Sequence, residues 1–187
     1  NSTGTQNTAV GSQALDANTT ADGNTALGYN SMGANTTGSR NTAVGYSSLD
    51  ASTTGIDCVA IGYESLTSNS TGNDNTAVGK ESLKDNTTGS NNVAVGFQAL
   101  QNNTTATGNT AIGYESLDAN TTGANNSAVG YQSQLNNTTG LANTSVGSSS
   151  MQDNTTGQQN TALGHEALRD NTTANFNTAI GKSALQD

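Results

Sequence analysis

General acid–base chemistry in this chain would have to come from its carboxylates, which fall in two ranks. Asp16, Asp50, Asp85, Asp118, Asp153, Asp170 and Asp187 lie near one recurrent turn, and Glu64, Glu81, Glu115 and Glu166 follow a recurrent glycine. A catalytic pair needs two carboxyl groups converging on one pocket. Here each rank supplies at most one acid per repeat, at positions that also accept other residues, so a solvated face is the expectation. His165 has no serine or cysteine partner recognisable by motif, which argues against a triad. Cys58 is the one cysteine and stands where ten other repeats have asparagine. A single thiol makes neither an intrachain disulfide nor a Cys-x-x-Cys metal site, and a small thiol sits comfortably inside a protein. No Gly-Gly-x-Gly-x-Asp calcium turn occurs. No catalytic residue, metal site or cofactor is expected.

Two further sets of residues could carry chemistry. Tyr29, Tyr46 and Tyr63, and then Tyr114 and Tyr131, share one phase of the repeat with Ser12, Lys80, Phe97, Ser148, His165 and Lys182. Such variety marks an exposed rank. Its aromatics could hold sugars or pack between rods, while ordinary cross-strand stacking is the plainer reading. The Asn-x-Thr triplets at Asn18, Asn35, Asn86, Asn103, Asn120, Asn137, Asn154 and Asn171, with Asn1 and Asn69 similar, are formal glycosylation acceptors. Turn capping explains them equally well.

What positions all of these residues is a strict period. Glycine recurs at Gly11, Gly28, Gly45, Gly62, Gly79, Gly96, Gly113, Gly130, Gly147, Gly164 and Gly181, seventeen residues apart each time and with no insertion. A short unbroken period is the signature of a solenoid, whose repeats bury their apolar side by stacking on one another. Leu, Ile, Val and Phe make up only 26 of the 187 residues, a level that by composition alone suggests disorder. The periodicity overrides this, because an aliphatic residue recurs at one phase in every repeat, from Val10 to Ile180. Helix propensity is poor throughout a repeat of Asn, Thr, Gly and Ser. The expected fold is all-β: a parallel β-solenoid of eleven coils, residues 1–187 forming one array, with two or three short strands per coil.

Within Asn41-Thr42-Ala43-Val44-Gly45 the second and fourth residues share a face. The fourth is always aliphatic, so that face is expected to point inward, taking Thr42 and its equivalents with it. The third residue is alanine at Ala9, Ala26, Ala43, Ala60, Ala77, Ala94, Ala111, Ala128, Ala162 and Ala179, with Ser145 the exception. Restriction to a methyl implies that something packs closely there, another strand of the same coil or another chain, and the expectation favours another chain. The invariant glycine suggests a corner with positive φ or a close backbone approach. A second apolar rank runs from Leu15 through Leu49 to Leu185. Repeat eight departs from it, with Gln134 in phase and Leu135 one place late, which suggests a bulge or an exposed Leu135. The Asn of each Asn-Thr-Thr can stack into amide ladders.

Net charge is −9, with five basic residues, so nucleic acid and anionic membranes are poor partners. No apolar run is long enough to span a bilayer. Asn1 does not look like a natural start, so the chain is expected to be an excerpt of a longer or processed protein. So thin a core is marginal for a lone coil stack, since ordering seventeen residues costs more than one leucine and one aliphatic residue return. Association of several chains is therefore expected.

The phrase Asn-Thr-Ala-Val-Gly-Tyr-x-Ser-Leu-x-x-Asn-Thr-Thr-Gly resembles the repeats of large bacterial and phage surface proteins described as tail-fibre-like. Cys58-Val59-Ala60-Ile61-Gly62 and Asn92-Val93-Ala94-Val95-Gly96 are also similar to the Asn-x-Val-Ala-Ile-Gly element of trimeric autotransporter adhesin heads, which are parallel β-rolls with shorter repeats. The resemblance implies a homotrimer or filament on a cell or virion surface, with surface glycans or a host cell as partners. The function so implied is a structural or adhesive fibre segment. The alternative is an ice-binding solenoid, against which the inward placement of Thr42 and its equivalents would count.

Overall fold

The computed structural model describes residues 2–186; Asn1 and Asp187, a formal glycosylation triplet and a turn-rank carboxylate in the sequence, lie outside them. Eleven three-residue strands, β1 (Thr8–Val10) to β11 (Thr178–Ile180), form one sheet in chain order. Every pairing is parallel, and the register is one repeat: β3 (Thr42–Val44) sets Thr42 beside Val59, Ala43 beside Ala60 and Val44 beside Ile61 of β4 (Val59–Ile61). The chain is thus a β-solenoid, with like residues stacked above like at about 4.8 Å per rung.

Only one strand per coil forms, rather than two or three. The rest of each coil is a series of turns that nevertheless bond rung to rung. The Leu49 N–H donates to the Ser65 carbonyl at 3.0 Å and that of Ala51 to Thr67 at 2.9 Å, while the N–H of Glu64 reaches back to Tyr46 at 2.9 Å. These turns use left-handed backbone at non-glycine residues, three in a typical coil, such as Ser47 (φ 46°), Leu49 (φ 53°) and Asp57 (φ 57°). Repeats two and seven place a glycine in the third of these slots, Gly23 (φ 68°) and Gly108 (φ 71°), where it fits without strain. The invariant glycine is required twice over. At Gly45 φ is 138°, and a Cβ there would strike the carbonyl of Gly62 on the next rung.

The face assignment is the reverse of the expectation. Ala26, Ala43, Ala60, Ala77, Ala94, Ala111 and Ala128 have no exposed surface within the single chain, and Ala162 and Ala179 are buried beside them. Ala9, on β1, is exposed. The alanine rank therefore packs inside its own coil and is not a contact between chains. Its neighbours on the strand point outward: Leu27, Ile61, Ile112 and Leu163 are all exposed. The reason is room. Nine coils enclose a leucine or methionine of the rank Leu15, Met32, Leu49, Leu66, Leu83, Leu100, Leu117, Met151 and Leu168, packed with the two asparagine ranks and a serine or alanine. Opposite that filling, the strand has space for a methyl only.

Repeat eight keeps its register without a bulge. Gln134 occupies the leucine slot (φ 53°), fully buried, and Leu135 is half-buried rather than exposed. The amide of Gln134 donates to the Ser127 carbonyl at 3.2 Å and to Ser145 Oγ at 2.9 Å. Ser145 is the one departure from alanine in its rank, so the two polar substitutions are partners. They interrupt the hydrophobic core, which runs as one cluster from Leu15 to Ala128 and as a second from Met151 to Ala179.

Candidate functional site: the outer strand face and its aromatic border

Two ranks project from the sheet along the whole rod. One is Thr8, Thr25, Thr42, Val59, Thr76, Val93, Thr110, Ser127, Thr144, Thr161 and Thr178; the other is aliphatic from Val10 to Ile180. None of these residues is charged, in a chain of net charge −9. Val10, Leu27, Leu163 and Ile180 expose 55%, 45%, 47% and 68% of their surface, Ile61, Ile112 and Val146 are also exposed, and Val44, Val78, Val95 and Val129 are half-buried by their neighbours. Sequence reasoning missed this rank as a surface. The signal was present: the fourth residue varies among Val, Leu and Ile, while the third is held to alanine, and tight interiors tolerate less variation than surfaces.

Past the glycine corner, the aromatic rank borders this face. Tyr29, Tyr46, Tyr63, Tyr114 and Tyr131 are each about half exposed. Tyr29, Tyr46 and Tyr63 form a stack with ring centroids 5.3 Å apart, and Phe97, Tyr114 and Tyr131 form a second at 5.1 and 5.3 Å. Lys80 joins the two, its Nζ lying 5.7 Å from the Tyr63 ring centre and 5.5 Å from that of Phe97. Interior rings such as Tyr46 have a ring against each face, so a sugar would meet edges and hydroxyls rather than an open aromatic platform.

The Asn-x-Thr asparagines are interior. Asn35, Asn86, Asn103, Asn120, Asn137 and Asn154 have no exposed surface and Asn18 almost none; Asn171 is half-buried. They build the amide ladder: Asn86 donates to Asn69 at 2.8 Å, Asn103 to Asn86 at 2.8 Å and Asn137 to Asn120 at 3.0 Å. The same amides cap the turn three residues on, as from Asn86 to the Gly89 carbonyl at 2.9 Å. In the folded chain the buried members of this rank are closed to glycosylation. Ser52 breaks the ladder. It is too short to reach the rung below, and both its Oγ and Asn35 Oδ1 are left without a partner. A second buried rank, Asn24, Asn41, Asn75 and onward, accepts hydrogen bonds from backbone N–H groups of the next rung, as Asn41 Oδ1 does from Cys58 N–H at 2.9 Å. Cys58 sits within it, and desolvation pushes its thiol up to about 11, which leaves it protonated and unreactive.

Several of the remaining titratable groups are paired along the rod. Arg40 forks onto Asp57 at 2.7 and 2.6 Å, Lys84 meets Glu64 at 2.6 Å, and Glu166 is shared by His165 at 3.3 Å and Arg169 at 3.1 Å. The Glu64 carboxyl is held below its ordinary value by the hydrogen bond from Lys84. Asp118 is lifted to about 6, first by burial and then by Glu115 and Asp85. Among the described residues, no group of three or more His, Cys, Asp or Glu is arranged to hold a metal ion, and no helix is long and apolar enough to cross a membrane. The fold and this surface define a class, the repeat-built β-solenoids. Comparison with protein-family models, with curated proteins and with solved structures finds no significant match to the chain.

Proposed function

We propose that the chain is a structural segment of an extracellular surface fibre, a rod whose outer strand face joins it to further copies of itself. The observation that carries this is the uncharged, half-exposed Thr and aliphatic stripe that runs the length of a strongly acidic rod. Contiguous exposed apolar surface of this extent marks an interaction site. Rods of like charge repel, so copies approach at least cost along a stripe where no charge lies. Stacking is parallel and of constant period, so two copies side by side can match rung for rung. The trimer implied by the resemblance to adhesin heads and tail-fibre repeats would place three such stripes around a common axis. Fibres of this kind act by holding a binding surface away from the cell or virion.

A second reading draws on the same face. The Thr rank points outward, so the objection to an ice-binding role falls, and hydroxyls repeat along it with gaps at Val59 and Val93. Sedimentation equilibrium separates the two. The fibre reading expects an oligomer that V78K/V95K reduces to a monomer with unchanged circular dichroism. A wild-type monomer that produces thermal hysteresis would replace it with the ice-binding reading, and a monomer without hysteresis would end both.

A further inference from the structure

We propose that the stacked tyrosines form an oxidative cross-linking site, at which a peroxidase-type oxidant joins rings one rung apart into dityrosine. The inference is independent of association between chains. It rests on placement: parallel register fixes Tyr29, Tyr46 and Tyr63 at the same phase of three successive rungs. Their rings lie 5.3 Å apart, tilted by only 17° and 10°, and Tyr114 and Tyr131 repeat the arrangement at 5.3 Å and 11°. All five are about half exposed, so an electron acceptor can reach their edges. Rings held in contact couple at the rate of an intramolecular reaction, whereas tyrosines on a disordered chain must first meet.

The local chemistry favours the step. The neighbouring carboxylates of Glu64 and Glu115 raise the phenol pKa of Tyr63 and Tyr114 and can receive the phenolic proton as the electron leaves. Each of two neighbouring tyrosines gives up one electron and that proton, becoming a phenoxyl radical. The radicals then form one carbon–carbon bond between the ring positions ortho to the oxygens. Each ortho hydrogen moves to its phenolic oxygen as a proton, restoring the two aromatic rings. The pair has lost two hydrogen atoms, and one hydrogen peroxide, the oxidant consumed through the peroxidase, becomes two waters. Phe97 has no phenol and Lys80 no ring, so the two stacks are separate sites and the second can link only Tyr114 to Tyr131.

The test treats the folded chain with a haem peroxidase and hydrogen peroxide, then maps linked peptides by mass spectrometry. Expected products are Tyr29–Tyr46, Tyr46–Tyr63 and Tyr114–Tyr131 pairs two hydrogens lighter than their components. They should exceed pairs between the stacks by at least roughly tenfold, as contact-driven coupling requires. Y46F, which keeps a ring in the stack, should remove both links of the first stack and leave Tyr114–Tyr131; Y131F should do the converse. A mixture of isotopically light and heavy chains should give links within chains only. Absence of dityrosine, a pair distribution matching that of the urea-unfolded chain, or predominantly mixed-isotope links would each overturn the proposal.

Discussion

Ser52 shows what one side chain does in a buried polar ladder. Its neighbours on either rung are asparagines whose amides expect a partner 4.8 Å along the axis. The hydroxyl fails to supply one, stranding Asn35 Oδ1 and its own Oγ. A buried polar atom left unpaired costs about 1–3 kcal/mol. S52N should therefore stabilise the rod by roughly 1–2 kcal/mol, read as a higher urea midpoint with an unchanged slope. Asp118 carries the pH dependence. Its folded value of about 6 lies above that of a free aspartate, near 4, so the folded chain holds the proton more tightly than the unfolded one. The stabilisation is fully present below the unfolded value and is lost as pH rises through the folded one. D118N should match the wild type at about pH 3 and exceed it near neutrality by on the order of 1 kcal/mol, solvent screening allowed for. Thermal melts across that range would check it.

At the scale of the element, much could be read from composition and spacing, with one inversion. The glycine rank announced its corner, and Gly45 answers it with both a φ of 138° and a close carbonyl. The stacking of Asn86 on Asn69 was likewise foreseeable from like-over-like repetition. The inversion concerns which side of β3 is the inside. Alternation says that Thr42 and Val44 face together but not which way, and hydrophobicity pointed to Val44. Volume decides instead, because a coil already filled by Leu49 and two asparagines admits only Ala43. The left-handed backbone at Leu49 was not legible either, since leucine there is imposed by rung-to-rung bonding against its own preference. Repeat eight supplies the prediction for this scale. Gln134 Oε1 is buried without a partner, and the Gln134–Ser145 pair divides the core. Q134L/S145A should restore the leucine and alanine ranks together and raise stability by about 2 kcal/mol. Q134L alone should gain less, because it leaves the Ser145 hydroxyl opposite an apolar side chain with Ser133 as its remaining side-chain partner. Denaturant titration of the three chains would show this ordering.

Across the whole molecule, each rung interacts chiefly with the one above and the one below, so stability is close to a sum over neighbours. Deleting residues 76–92, one full repeat, joins Asn75 to Asn92's successor in unbroken phase. The shortened chain should fold, with a circular dichroism spectrum per residue unchanged. Removing one residue fewer or more should misalign every later rung and abolish a cooperative melt. The same serial construction governs how the rod answers a pull on its two ends. Force applied along the axis reaches the terminal coil first, and that coil peels from its neighbour before the next is loaded. Each detachment frees seventeen residues, roughly 55–60 Å of slack chain. A molecule built this way lengthens stepwise under tension, giving ground one coil at a time while the remainder stays intact.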